Sequence, residues 1–185
     1  LLNPTGVRFA SAGIEVAGLL GGAKFTKFSA EGRRYWILRQ GKDKPVKDET
    51  GAVIGTQQGQ PVMLASRLIL GTIAGTPPFL DQFLLGGSDS LRGYSEDRFP
   101  GKNQVLLNNE VRVPINESLQ AAIFLDAGSA WSGAAAEKFG DRKFTFHTGY
   151  GAGIRLQTPI GPIRLDYGIN GEGGHQFHFG IGATY

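Results

Sequence analysis

The 185-residue chain has no cysteine, so a disulfide framework and any thiolate metal site are excluded. It has one methionine and two tryptophans. Its net charge is only +3, and the charges are scattered along the chain. That is too weak and too dispersed for a nucleic-acid partner, and none is expected. Long hydrophobic runs are also lacking. Runs such as VMLA and RLILG are far short of the ~18 apolar residues of a membrane helix. The chain opens on Leu1 without a leader-like segment and is expected to be a processed chain or a fragment. What it has in abundance is glycine, 29 residues, more than twice the usual share.

Period-two alternation is the dominant pattern. In QFHFGIGATY, Phe177, Phe179, Ile181, Ala183 and Tyr185 share one face, against His178, Gly180, Gly182 and Thr184. IRLDYGIN sets Ile163, Leu165, Tyr167 and Ile169 against Arg164, Asp166, Gly168 and Asn170. FTFHTGYGAGIRLQ sets Phe144, Phe146, Tyr150, Ala152, Ile154 and Leu156 against His147, three glycines, Arg155 and Gln157. LQAAIFLDAGSAW opposes Ile123, Leu125 and Trp131 to Gln120, Asp126 and Gly128, and NQVLLNNEVRVP opposes Val105, Leu107, Val111 and Val113 to Asn108, Glu110 and Arg112. PVMLASRLILGTI is a further strand. TGVRFASAGIEVAG and AKFTKFSAEGRRYWIL are two more, joined at a Gly-Gly hairpin signal in LLGG. Their facing is ambiguous around Gly32 to Tyr35, where a bulge would fit. The count is about eight strands.

The strands are about 9–12 residues long, the length of a tilted membrane strand, and aromatics stand near their ends at Trp131, Phe144 and Tyr185. The less apolar face carries Arg, Asp, Glu and Gly, which suits a crowded wet lumen. Alternation and length alone leave a membrane barrel and a soluble all-β fold equally open. Connections alternate in length. PINE and TPIGP are tight turns, whereas SGAAAEKFGDR and above all residues 74–103 are long. Residues 40–61, with a hairpin pattern around ETG, break the alternation and are expected to be an insertion outside the membrane on the periplasmic side.

The long loop contains GGSDSLRGYSEDRF, with Leu91, Arg92, Gly93 and Tyr94 at its centre. LRGY, NNE in the next strand, FLDAGSAW in the one after, and a final alternating aromatic strand occur in order. Together they resemble the bacterial surface antigen family, the BamA-type outer-membrane assembly factors. The resemblance covers the whole chain. It implies an all-β, antiparallel transmembrane β-barrel, of which this chain corresponds to the last eight strands of sixteen. Periplasmic POTRA domains and the first eight strands lie outside it. The resemblance further implies an inward-folded loop on the extracellular side, with Arg92 meeting Glu110 and Asp126 on the inner wall. Gly93 then permits a tight turn and Tyr94 an anchor. Alternation had independently put both acids on the lumen side, and one guanidinium fork can bridge two carboxylates. Phe177, Phe179, Ile181 and Tyr185 match the family's terminal-strand signal, with Tyr in place of the usual Phe or Trp.

The function so implied is non-enzymatic insertion of other β-barrels, with a seam between first and last strands that opens and templates clients by edge pairing. Expected partners are outer-membrane lipid, unfolded β-barrel clients, and a second copy or the missing N-terminal half to complete the barrel. The expected location is the outer membrane of a Gram-negative-type bacterium, or a plastid or mitochondrial outer envelope. Alternatives are a translocation pore of the same superfamily, as in two-partner secretion or plastid import, and an outer-membrane enzyme or anchor. Catalytic, cofactor and metal sites are expected to be absent. Ser88 and Ser90 lack a nucleophile elbow. GYGAG lacks a following helix. His175 and His178 point to opposite faces of a strand. A closed eight-stranded barrel is filled by its own side chains. Burial of Arg92 against the inner wall therefore requires a wider enclosure.

Overall fold

The computed structural model describes residues 8–18, 22–159 and 161–182. The LLGG junction before Gly22, Ile160 of the TPIGP turn, and Ala183, Thr184 and Tyr185 lie outside these residues. Twelve strands are present among them. They are β1 (Arg8–Ala17), β2 (Phe25–Arg39), β3 (Lys44–Lys47), β4 (Val53–Gln57), β5 (Val62–Gly75), β6 (Phe83–Leu85), β7 (Phe99–Gly101), β8 (Asn103–Pro114), β9 (Leu119–Trp131), β10 (His147–Leu156), β11 (Ile163–Asn170) and β12 (His175–Ile181). Eight of them form one antiparallel sheet in the order β1-β2-β5-β8-β9-β10-β11-β12, each paired with its sequence neighbour. Among the described residues β1 and β12 do not pair, so the sheet has two open edges.

The two faces of the sheet differ as the alternation requires. One exposes Ile14, Phe28, Leu70, Leu107, Ile123, Leu125, Tyr150, Tyr167, Phe177 and Phe179. An apolar patch running across eight strands is far larger than a soluble monomer presents to water. The opposite face buries Asn108, Glu110, Arg112, Gln120, Asp126, Arg155, Arg164, Asp166 and His178. It is this polar face that curls inward. Arg67 on β5 donates to the Asp89 carbonyl at 3.0 Å and Arg164 on β11 to the Asp89 carboxylate at 2.7 Å. In a flat sheet those strands would stand roughly 19 Å apart, four spacings of about 4.8 Å.

The connections supply the rest. Residues 40–61 hold the separate β3–β4 ribbon, whose Asp48 carboxylate accepts the Thr50 hydroxyl at 2.6 Å and the Thr50 and Ala52 N–H groups at 2.9 Å. The β8–β9 turn closes through Ile115 N–H to the Leu119 carbonyl at 2.9 Å, with the Asn116 side chain accepting from Ser118 and Leu119. SGAAAEKFGDR, read as a plain loop, contains a short helix, α1 (Ala134–Phe139). Two local expectations are corrected. The register of β2 against β5 is unbroken from Phe25 to Ile37, and the irregularity lies between Ile37 and Arg39, where the strand leaves the sheet for the ribbon. β10 begins at His147. Phe144 and Phe146 precede it, with Phe144 edge-on to Trp131 at 5.0 Å.

Candidate functional site

The loop between β5 and β8 folds back over the polar face on a small stem. β6 pairs with β7, Leu85 opposite Phe99. The chain then reverses at Gly86 and Gly87, both with positive φ, conformations that side chains disfavour. Ser90 closes the reversal. Its hydroxyl accepts the Gly86 N–H at 2.9 Å and donates to the Gly86 carbonyl at 2.8 Å. Leu91 and Tyr94 pack with Leu85, Phe99, Leu106 and Ala130 in one buried cluster. Tyr94 lies edge-on to Phe99 and to His147, and Phe99 stacks on His147 with ring centroids 3.9 Å apart. The loop is thus anchored by apolar burial before any charge is considered.

Between these anchors Arg92 is 1% exposed. Its Nε and Nη2 donate to the two oxygens of Asp126 at 2.7 and 2.9 Å, a bidentate pair, and its Nη1 donates to Glu110 Oε2 at 2.6 Å. The backbone N–H of Arg92 also reaches Asp126, at 3.2 Å. The guanidinium lies 3.6 Å from the centroid of the Phe124 ring, which covers one side of it.

The acids serve other cations too. Glu110 accepts from Arg112 Nε at 2.8 Å and from Arg155 Nη2 at 2.7 Å. Arg155 bridges onward to Asp166 at 2.6 Å, and Asp166 stands 3.6 Å from Arg92. Asn108 donates to Asp126 at 2.8 Å and to the Ser90 carbonyl at 2.6 Å. Three arginines and three carboxylates therefore interlock in a buried cluster drawn from the loop and β8, β9, β10 and β11. Their charges balance. Dry burial of ions is tolerable only when each is paired and hydrogen-bonded, as here.

Gly93 is held from two further strands. Its N–H donates to His178 Nε2 on β12 at 3.0 Å, and its carbonyl accepts from Asn170 Nδ2 on β11 at 2.8 Å. Gly93 has φ +94°, and a Cβ there would press on the β11 backbone at Ile169. The wall reciprocates with glycine. A Cβ at Gly149 would overlap the Arg92 carbonyl, and one at Gly168 would meet the Gly93 backbone. The LRGY backbone consequently lies directly on bare β10 and β11 backbone.

Of the residues singled out from sequence, the structure brings Leu91, Arg92, Gly93, Tyr94, Glu110 and Asp126 to one place. Phe177, Phe179 and Ile181 stand apart on the outward face of β12. Sequence reasoning missed Arg112, Arg155, Asp166, Asn170 and His178 as site residues. Their signal was their place on the polar face of the alternation. Phe124 gave no such signal, being an aromatic on that face.

The Omp85 superfamily domain matches residues 1–185. Outer envelope protein 80, chloroplastic, of Arabidopsis thaliana is 35% identical over 107 residues, covering 55% of this chain and 15% of that protein. Outer envelope protein 39, chloroplastic, of the same plant is 30% identical over 126 residues, covering 65% of this chain and 35% of that protein. The crystal structure of BamA from Haemophilus ducreyi lacking POTRA domains 1–3 superposes with a TM-score of 0.65 at 19% identity, over 93% of this chain and 38% of that one. The chain spans between 15% and 38% of the length of these proteins.

Proposed function

The chain belongs to the Omp85 superfamily, and we propose that it is the C-terminal part of an outer-membrane or outer-envelope barrel that inserts other β-barrel proteins without chemistry of its own. The relatives' names, outer envelope proteins among them, support that location. The observation that carries the reading is an apolar outward face across the eight-stranded sheet together with two sheet edges that are unpaired among the described residues. Unpaired backbone is intolerable in hydrocarbon, so such edges must be completed by further strands of the same polypeptide or by a second copy. An edge that another strand can complete is also one that a client strand can use.

In this reading Arg92 latches the loop to the inner wall. The cluster fixes the curvature of β8 to β11, and the His178 contact ties the edge strand β12 to the same loop. The long loop then lies on the extracellular side and the β3–β4 ribbon on the periplasmic side. The charged inner face equally suits a translocation pore for polypeptides, with the loop as its constriction. An enzyme or an anchor finds less support, because each acid of the cluster is occupied by a guanidinium.

The test is Arg92→Ala in the full-length polypeptide, reconstituted in liposomes. Loss of client insertion at unchanged conductance supports the assembly reading. A raised conductance with client insertion intact supports the pore. No change in either overturns both.

A further inference from the structure

Apart from polar residues at its long-loop end, such as Thr72 and Asn103, which pair at 2.7 Å, the outward face carries its polar side chains along one line. Arg8 on β1 stands opposite Arg34 on β2, Arg34 opposite Ser66 on β5, and Ser66 opposite Asn109 on β8. Directly opposed residues share a face, and their neighbours Tyr35 and Ala65 are buried on the inner one, so this row points outward. It ends at β9, where Asn109 meets Leu125. Apolar residues continue from it along the strands: Ala10 and Ala12 on β1, Trp36 on one side and Ala30 and Phe28 beyond Gly32 on the other on β2, Leu64 and Leu68 on β5, Val111 and Leu107 on β8.

The row offers donors. Among the described residues neither arginine has an acidic partner within salt-bridge distance, although every arginine of the inner cluster has one. Two like charges directly opposite each other in a sheet repel. The Ser66 hydroxyl is spent on Asn109 Oδ1 at 2.6 Å, which leaves the Asn109 amide hydrogens to donate. Arg34 lies 4.8 Å over the Trp36 ring, and tryptophan favours the headgroup level of a bilayer. Arginines on a lipid-facing surface are costly unless they lie near its edge or meet an anion.

The geometry points to a headgroup site on the outer face, in which Arg8 and Arg34 clamp the phosphate of an anionic phospholipid, Asn109 donates alongside, and the acyl chains lie on the flanking apolar residues. Strands roughly 5 Å apart set the two guanidinium groups to share one phosphate group. The assignment rests on the barrel reading, which makes this face the lipid-facing one.

Native mass spectrometry of the full chain, released from micelles holding equal phosphatidylglycerol and phosphatidylcholine, tests it. Retention of phosphatidylglycerol is expected to exceed that of phosphatidylcholine, and Arg8→Gln or Arg34→Gln each to cut the preference about fivefold. The double variant abolishes it, whereas Lys42→Gln, on the ribbon, leaves it intact. Equal preference in the double variant, or no preference in the native chain, overturns the site. Displacement by soluble glycerol phosphate at the same concentration overturns the lipid assignment in favour of a free-anion site. Heat-modifiable migration in gels reports folding of every variant. A chain without it overturns the barrel reading and the site together, and a heat-modifiable chain without lipid preference overturns the site alone.

Discussion

Arg92 illustrates how little a residue's own neighbourhood reveals. Within GGSDSLRGYSEDRF it has the context of a solvated loop arginine, yet it is buried against Asp126 and Glu110. Removing one member of such a cluster strands the others without partners. Arg92→Ala should therefore lower stability by about 3–5 kcal/mol, read as a fall in the urea midpoint of heat-modifiable migration. Arg92→Lys should recover only part of this, because an ammonium cannot reproduce the fork onto Asp126. A loss no larger than that of an exposed arginine would mean the cluster is solvated. Gly149→Ala should lift the loop from β10, since its Cβ would overlap the Arg92 carbonyl. Faster protease cleavage between Gly86 and Arg98 would report it. At Asp48 the Thr50 hydroxyl, followed by the backbone donors, holds the carboxyl below its ordinary value of 3.8. The folded value is depressed, so the contribution to the ribbon turn is present above pH ~3.8 and fades as acid protonates the folded carboxylate. The protection of the Thr50 and Ala52 amides, relative to their intrinsic exchange rates at the same pH, should fall on that acid side only.

At the scale of elements, the alternation of each strand was legible because it is local. Leu125 outward and Asp126 inward follow from a side-chain period of two and nothing else. Leu125→Arg, near the middle of β9, should cost about 2–4 kcal/mol if that position lies at the bilayer midplane, and reduced insertion into liposomes would show it. The strand limits were less legible. Phe144 and Phe146 keep the alternation yet lie outside β10, where the Thr145 N–H turns to the Ser129 hydroxyl at 3.2 Å instead of to a strand ladder. The bulge moved from Gly32–Tyr35 to Ile37–Arg39, since glycine permits irregularity without demanding it, and the departing ribbon demands it. The helix Ala134–Phe139 escaped notice because AAAEKF is one turn and a half, too short to show a period.

For the whole molecule, the open sheet makes the sharpest demand. A membrane-inserted form of this chain by itself should not be a single copy, because β1 and β12 would leave backbone groups unpaired in lipid. Sedimentation of the refolded chain should therefore report a species larger than one copy. A single copy with β1 paired to β12, and with Arg92 in solvent, would show that the eight strands close without the loop inside. By itself the sequence determined which side chains face outward and which inward, and that Glu110, Asp126, Arg155 and Asp166 share the inner side, because alternation depends only on adjacent residues. Only the tertiary structure decided who meets whom on that side. Arg155 reaches Glu110 across an intervening strand, Asp89 joins β5 to β11, and His178 takes the Gly93 N–H from 85 residues away. Those meetings come from the curl of the sheet around its loop, a long-range closure for which the chain carries no local period.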